Sequence, residues 1–328
     1  MRVILGLLRL IAALVIIGAT LPALLALLGF VVPLFDIFNH LQLLLFFGTL
    51  GATLLSLVLG MRRGWQVVAV AGLLASSWTF VPEWVSSLMP RQAVSDTTTI
   101  KVMTHNIFGL NFDMERVDEA IRAEDPDIVA LQEYFPEQSG LDALLADRYP
   151  YSVRCRGGKR ANLGLYSKLP FEKTMEPEAC PANAQGAQRI AHIVGLFTLS
   201  TGTSFSLMTT HMDWPYPIER QRDQMAAAAE SINAIEGPLV VVGDFNSTPW
   251  SYALKTFEAS SGLRRETRNL VTYPELFTVP RGMLRLEPFL PLDHVFQRGV
   301  IVSELHRGVQ TGSDHLPVVF TFSVAPTN

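Results

Sequence analysis

Val240-Val-Val-Gly-Asp-Phe-Asn-Ser-Thr-Pro249 is the stretch on which the interpretation of the whole chain depends. The apolar run Leu239–Val242 predicts a strand that is buried on both faces. Asp244 and Asn246 follow Gly243, and because they are two residues apart they lie on the same side of an extended backbone. Such a pair can hold a water molecule beside an anionic oxygen. A plain strand-end turn explains the stretch equally well, so the choice depends on the rest of the chain.

The first ninety residues are almost continuously apolar, and an ordinary mixed composition follows them. Leu10–Val32 and Leu41–Gly60 contain no charge and are long enough to cross a hydrocarbon layer of about 30 Å. Trp65–Val81 is a shorter candidate that contains serine and threonine. A cleaved signal peptide would explain only the first of these runs. We therefore expect an all-α transmembrane segment of three helices within residues 1–89, spanning about 10–32, 41–60 and 65–81.

Basic residues predict the orientation of this segment. Arg2 and Arg9 precede the first span, and Arg62 and Arg63 lie between the second and the third. The positive-inside rule places these arginines in the cytoplasm. Three crossings then put everything after Met89 outside the cytoplasm. If the third span does not insert, the remainder of the chain is cytoplasmic instead.

Charge and cysteine content constrain the second part of the chain. Residues 1–100 carry a net charge of +2, and residues 101–328 carry −6. A net acidic domain lacks the broad positive surface that is typical of nucleic-acid binding, although a local basic rim would suffice for a nuclease. Cys155 and Cys180 are the two cysteines. Outside the cytoplasm such a pair favours a disulfide over two buried thiols.

Residues 90–99 are polar and predict a linker, and residues 100–328 predict one catalytic domain. Apolar strands alternate with helices along this domain, which favours two sheets packed together with helices outside. Asp113 predicts the N-cap of a helix at 114–123. Residues 263–289 show little periodicity and are interpreted as a loop region on the substrate side.

Polar residues recur where these predicted strands end, and together they suit phosphoester hydrolysis. Carboxylate and amide oxygens are the ligands that Mg²⁺ prefers, a further carboxylate can orient a water molecule, and imidazoles can stabilise phosphate charge. One imidazole also needs a carboxylate to fix its tautomer. The residues are Asn106, Glu133, His211, Asp244, Asn246, Asp293, Asp314 and His315.

The order and spacing of these residues resemble the endonuclease/exonuclease/phosphatase superfamily over residues 100–323. The matching motifs are THN 104–106, LQE 131–133, LGLYSK 163–168, TTH 209–211, GDFN 243–246, LDHVF 292–296 and GSDH 312–315. The resemblance implies a four-layered α/β/β/α sandwich of the DNase I-like type. It also implies a metal site of Glu133, Asn106 and Asp314, and a catalytic group of Asp244, Asn246, His211, His315 and Asp293.

Within that group the resemblance implies a role for each residue. Asp244 handles the water, Asn246 and His211 contact the phosphate, and Asp293 orients His315. The implied cofactor is Mg²⁺, with Mn²⁺ as a possible substitute.

Several residues remain open at this stage. No residue can be assigned to the tyrosine that nucleases of this superfamily place near the phosphate, because Tyr166 fits the core equally well. Arg189 is a candidate contact to the substrate phosphate, weighed against an ordinary surface arginine. Trp214 and Tyr216 could form an apolar lip for a lipid chain or a rigid loop. His105 neighbours Asn106 and His294 neighbours Asp293, but each points to the opposite face of its strand, which favours a packing role.

The layout of three spans before this domain is similar to that of membrane-bound teicoplanin-resistance proteins. We therefore expect a membrane-anchored, Mg²⁺-dependent phosphoester hydrolase acting outside the cytoplasm on a lipid phosphate, pyrophosphate or phosphodiester. Membrane lipids and a phosphorylated lipid substrate are the expected partners, nucleic acid is less favoured, and no protein partner can be inferred. The alternatives are an extracytoplasmic Mg²⁺-dependent nuclease and a catalytically inactive membrane protein.

Overall fold

The computed structural model describes residues 2–91, 98–156, 162–174, 191–280 and 282–324. It divides into two compact units. The first contains Met1–Met89 together with the short segment Thr248–Lys255, and the second contains Pro90–Ser247 and Thr256–Asn328.

Three long apolar helices form the first unit: α1 (Arg2–Ala26), α2 (Gln42–Val58) and α3 (Arg63–Ser87). A 3₁₀ segment, Pro33–Leu41, leads directly into α2. By length and composition, the three stretches Val3–Ala26, Pro33–Val58 and Arg63–Ser87 can each cross a membrane.

The helix that contains most of the first predicted span has other limits than that span. Helix α1 begins at Arg2 rather than at residue 10, because Arg9 does not interrupt it. The Arg9 guanidinium donates to the carbonyl oxygens of Leu59 (3.0 Å) and Gly60 (3.3 Å), where the end of α2 carries partial negative charge. The helix ends at Ala26 rather than at residue 32, and Val32, which precedes Pro33, has the extended backbone that a residue before proline prefers.

The third helix is longer than the predicted span 65–81. It begins at Arg63 and continues through Pro82 to Ser87. A proline inside an apolar helix removes one backbone hydrogen bond without necessarily ending the helix.

A polar contact inside the first unit holds the start of the last helix in the described chain, α7 (Tyr252–Ser261). Asp36 is buried, and its two carboxylate oxygens accept hydrogen bonds from the backbone nitrogens of Tyr252 (2.9 Å) and Ala253 (3.0 Å). A carboxylate at a helix N-terminus satisfies unpaired N–H groups and the positive end of the helix dipole. The buried charge of Asp36 is therefore paired.

Two six-stranded sheets form the second unit. The first has the order β13-β14-β1-β2-β4-β3, with β1 and β2 parallel. Its strands are β1 (Thr99–Asn106), β2 (Ile128–Gln132), β3 (Tyr151–Cys155), β4 (Leu163–Ser167), β13 (Val300–Arg307) and β14 (Val318–Val324).

The second sheet has the order β5-β6-β7-β8-β12-β9, with β7 and β8 parallel. Its strands are β5 (Phe171–Lys173), β6 (His192–Thr198), β7 (Ser204–His211), β8 (Leu239–Asp244), β9 (Arg264–Arg265) and β12 (Asp293–Arg298).

Side-chain alternation along these strands builds separate layers. Val102 of β1 lies in the core between the two sheets, where it meets residues such as Val240 and Val242 of β8. Met103 points the other way and packs in a second core with α4 (Met114–Glu124) and α5 (Gly140–Leu145). On the second sheet, Phe257 of α7 packs against Phe296, with ring centroids 5.2 Å apart. Together with α6 (Ile218–Asn233), these layers confirm the predicted DNase I-like α/β/β/α sandwich.

The predicted helix cap agrees with the structure, whereas one predicted loop region does not. Asp113 caps α4, because its carboxylate accepts from the backbone nitrogen of Arg116 at 3.2 Å. The region 263–289 was predicted to be a loop but contains β9 and a hairpin of β10 (Leu276–Val279) and β11 (Gly282–Arg285). Strand β9 depends on pairing with β12, and a partner so distant in sequence leaves no local periodicity.

Some predictions fall on residues outside the described part of the chain. Residues 92–97, which form most of the predicted linker, are outside it, as are Cys180 and Arg189. Cys155, at the end of β3, is disulfide-bonded.

Candidate active site

Strand pairing brings the predicted residues of the second sheet into one row. The parallel register of β7 and β8 places His211 opposite Asp244, and the antiparallel register of β8 and β12 places Asp244 opposite Asp293. In the first sheet, Asn106 lies opposite Gln132, the residue before Glu133. Asp314 and His315 come shortly before β14, which pairs with β1. The pairing register of the strands therefore aligns His211, Asp244 and Asp293 in one row across the second sheet.

Three backbone positions in the site have positive φ. Gly243 has φ 144°, and a Cβ there would lie 1.9 Å from the carbonyl oxygen of Thr210, so the position requires glycine. Glu133 (φ 53°) and Asn246 (φ 47°) adopt the left-handed conformation. Asparagine tolerates this conformation, whereas glutamate rarely adopts it. Such backbone strain is concentrated at functional sites in proteins.

Asp244 lies at the centre of the site and is buried. Its Oδ2 accepts from Nδ2 of Asn106 (3.0 Å) and Nδ2 of Asn246 (3.2 Å), and its Oδ1 accepts from the backbone nitrogen of Asn246 (2.8 Å). Burial opposes ionisation, but the charge of His315 and the contact with His211 hold the pKa of Asp244 well below its usual range. Asp244 is therefore a fixed, ionised carboxylate at neutral pH.

Two imidazoles face this carboxylate. His211 Nε2 lies 3.4 Å and His315 Nε2 lies 3.7 Å from Asp244 Oδ2. His315 Nδ1 lies 2.8 Å from Asp293 Oδ2, which also accepts from the Thr272 hydroxyl at 2.6 Å. Burial alone would disfavour the charged imidazole, but attraction to Asp293 and Asp244 outweighs it and raises the pKa of His315 to about 10. The ring is thus held in place as a charged donor.

Glu133 and Asp314 supply the carboxylates that suit a hard cation. Glu133 Oε2 accepts from the backbone nitrogen of Gly109 (3.0 Å), and its Oε1 lies 3.9 Å from His211 Nε2. Asp314 Oδ1 is buried and has no hydrogen-bond partner among the described residues. Burial, reinforced by repulsion from Glu133 and Asp244 and opposed by His315, raises the pKa of Asp314 to about 6. A divalent cation would neutralise this crowded negative charge, so these residues fit a metal.

The other predicted metal ligand, Asn106, already makes hydrogen bonds with both atoms of its side-chain amide. Its Oδ1 accepts from the backbone nitrogen of Phe108 (3.0 Å), while its Nδ2 donates to Asp244. Asp244, Asp293 and His315 also have ligand atoms within 4.8 Å of one another, a spacing that suits a metal. There, however, a cation would have to displace the proton shared by His315 and Asp293. Asp314 Oδ1, in contrast, has no hydrogen-bond partner among the described residues that a cation would have to displace.

The structure adds one aromatic residue that the sequence did not single out. Tyr273 lies in the region predicted to be a loop, and its ring centroid is 4.7 Å from that of His315. Burial and the carboxylates Asp314, Asp244 and Glu133 raise the pKa of Tyr273 to about 12, so it stays a neutral hydroxyl donor beside the site. No motif surrounds it; only its tertiary position reveals it. Tyr166, by contrast, is buried and donates to Asp142, so it belongs to the core.

The two histidines beside site residues have packing roles. His105 Nε2 lies 2.7 Å from the Thr311 hydroxyl, and His294 lies 2.8 Å from both the Thr267 hydroxyl and the Ser247 carbonyl oxygen. Burial lowers the pKa of each to about 3, so both are neutral.

A two-sheet sandwich with carboxylates and imidazoles at its strand ends defines the DNase I-like class of folds. A model of the endonuclease/exonuclease/phosphatase family matches residues 103–315, and the chain therefore belongs to that family. The family consists of phosphoester hydrolases and nucleases that typically use a divalent metal.

Individual relatives are more distant. A UPF0294 protein of Vibrio cholerae is 30% identical over 135 residues, which cover 40% of this chain and 44% of that protein. The match thus spans less than half of that relative. The structure of an endonuclease/exonuclease/phosphatase from Bacteroides vulgatus is similar with a TM-score of 0.57 and 21% identity, covering 69% of this chain and 99% of that one. D. rerio TDP2 complexed with a single-strand DNA product is similar with a TM-score of 0.54 and 16% identity, covering 69% and 100%. At these identities the structures show a shared fold.

Proposed function

We propose that this chain is a membrane-anchored, divalent-metal-dependent phosphoester hydrolase whose substrate is a lipid phosphate, pyrophosphate or phosphodiester. The observation that carries the proposal is the buried Oδ1 of Asp314, which lies in the field of Glu133 and Asp244 and has no hydrogen-bond partner in the part of the chain that the structure describes. Buried carboxylates without partners are costly, and they persist where a ligand neutralises them. Mg²⁺, or Mn²⁺ in its place, would supply the charge that offsets the phosphate oxygens.

The remaining residues have distinct tasks in hydrolysis. Asp244 is ionised and held by Asn106 and Asn246, so it can orient or deprotonate the attacking water molecule. His315, held through Nδ1 by Asp293, presents Nε2 as a charged donor to the phosphate. His211 and Asn246 lie beside them, with His211 Nε2 3.3 Å from Asn246 Nδ2. The water oxygen would bond to phosphorus as the bond to the leaving oxygen breaks, and His211, Asn246 and the charged His315 would stabilise the charge that develops on the phosphate oxygens.

Two features favour a lipid over a nucleic acid. Three helices able to cross a membrane belong to the same chain. Residues 101–328 carry a net charge of −6, which opposes the approach of a polyanion. A domain outside the cytoplasm, as the distribution of arginines suggests, would act on the outer surface of the membrane.

A substrate panel tests this function. The full chain in detergent is given a lipid pyrophosphate, sphingomyelin or plasmid DNA with Mg²⁺, and released phosphate, phosphocholine or nicked DNA is measured. We expect turnover of a lipid and none by an Asp244→Asn variant prepared in parallel. Turnover of DNA alone would favour the nuclease alternative, and no turnover of any substrate would favour an inactive domain.

A further inference from the structure

An apolar groove lies beside the proposed metal site. Its cavity has a volume of about 660 Å³, within the range of small-molecule sites. Its walls come from three loops: Phe108, Leu110 and Phe112 after β1, Phe135 after β2, and Trp214 after β7. Leu110 is 62% exposed, Phe112 is 65% exposed and Trp214 is 45% exposed. Large apolar side chains clustered in this way at a concave surface are typical of a binding site.

The groove is continuous with the catalytic residues. Glu133 lines it, so the carboxylate proposed to hold the metal also forms part of its wall. Trp214 packs edge-on against Tyr273 with ring centroids 5.8 Å apart, and Tyr273 packs against His315. A molecule whose phosphate lies between Glu133 and His315 would therefore place its adjoining atoms in the groove.

Charge distinguishes between two possible occupants. Aromatic rings could stack on the bases of a single strand, but such sites combine the rings with cations that follow the backbone. Among the described residues, those lining this groove include two acids, Glu133 and Glu137, and no lysine or arginine. The two acids would repel the phosphates of a nucleic acid but not an uncharged hydrocarbon chain. Burial of such a chain in the groove is favourable because it removes apolar surface from water.

We propose that this groove binds the hydrocarbon chain of a lipid phosphoester and so selects long-chain substrates. This rests on the proposed function for the position of the phosphate. Phe112 and Leu110 are the exposed walls that the chain would cover. Removing one large side chain should lower the preference for a long chain about tenfold, because burial of such a side chain corresponds to at least that factor.

Two chromogenic diesters test the preference: hexadecyl and butyl p-nitrophenyl phosphate, presented to the full chain at fixed detergent and Mg²⁺. The measured quantity is the ratio of kcat/KM for the long diester to that for the short one. We expect Phe112→Ser and Leu110→Ser each to lower this ratio about tenfold. Val309→Ser, which removes another exposed apolar side chain that does not line the groove, should leave it unchanged. An unchanged ratio in both groove variants would overturn the proposal.

A labelling experiment tests whether the groove binds a hydrocarbon chain without requiring that the protein hydrolyse any substrate. A hexadecyl phosphate with a photoreactive diazirine at the chain end is irradiated with the full chain, and labelled peptides are identified by mass spectrometry. Labelling of residues 108–112 that is lost in Phe112→Ser supports the groove, even if neither diester is hydrolysed and the proposed function fails. Label restricted to residues 1–89, or displaced from 108–112 by a single-stranded oligonucleotide, would overturn it.

Discussion

Replacing Asp314 by asparagine should make the metal-free protein more stable. The pKa of this carboxyl group is raised from 3.8 to about 6 in the folded chain. A raised carboxyl pKa means that ionisation is disfavoured in the native state. The cost is absent below the unfolded pKa, appears between about pH 4 and pH 6, and is complete above the folded value. A shift of about two units corresponds to about 3 kcal/mol.

Asparagine keeps the size of the side chain and removes the charge, so Asp314→Asn should recover part of this free energy. For a domain of this size, each kcal/mol changes the melting temperature by about 2–4 °C. We expect the variant to melt about 5–10 °C above the wild type at pH 8 with chelator present. Near pH 5 the carboxyl group is mostly protonated in the native state but mostly ionised in the unfolded state, so the difference should shrink to about half there. Mg²⁺ should raise the melting temperature of the wild type more than that of the variant.

Differential scanning fluorimetry of the full chain in detergent measures both effects. Asp147→Asn removes the same charge from an exposed position and should change the melting temperature little. The reasoning is refuted if metal-free Asp314→Asn melts no higher than the wild type at pH 8. It is also refuted if Mg²⁺ stabilises both proteins equally.

Four further outcomes are expected from activity and topology measurements. Glu133→Gln should lower turnover at least about a hundredfold, and chelation should abolish wild-type turnover until Mg²⁺ or Mn²⁺ is added; full activity in excess chelator would contradict this assignment. His315→Ala should cost about 10²–10⁴ in kcat and Asp293→Asn less, and the double variant should resemble His315→Ala alone, whereas multiplicative losses would give Asp293 a separate role. Tyr273→Phe should lower kcat about tenfold with unchanged melting, since it removes only a hydroxyl donor; unaltered kcat would leave the ring as packing. A reporter fused after Asn328 should behave as extracytoplasmic, and a cytoplasmic signal would reverse the predicted orientation.

Sequence predicted the parts of the site that local pattern encodes. The run before Asp244 has the apolar continuity of a buried strand, and the structure has β8 ending at that residue. The pairing of Asp293 with His315 followed only from resemblance, because 22 residues separate the two and no local pattern connects them. The order of strands and helices predicted two packed sheets with helices outside, the resemblance implied the four-layered α/β/β/α sandwich, and the fold is confirmed.

Other features depend on tertiary contacts that no local pattern reports. Tyr273 lies in an aperiodic region, and its relation to the site exists only through contact with His315. Helix α1 begins before the predicted span, which was limited to uncharged residues, and the carbonyl oxygens that accept from Arg9 come from residues about fifty positions further along the chain. Asp314 Oδ1 is buried without a hydrogen-bond partner among the described residues, and this too depends on how distant parts of the chain pack together.

The division between strands and loops has a consequence for engineering. The row of His211, Asp244 and Asp293 is fixed by register, and a one-residue slip would turn each side chain to the opposite face. The groove, in contrast, is built by loops, which tolerate exchange because few ladder hydrogen bonds depend on them. Grafting the residues of a relative at 108–112, 135 and 213–217 should therefore transfer chain-length preference while leaving the hydrolytic row intact. New substrates could then be selected by varying short segments of three loops on an otherwise constant scaffold.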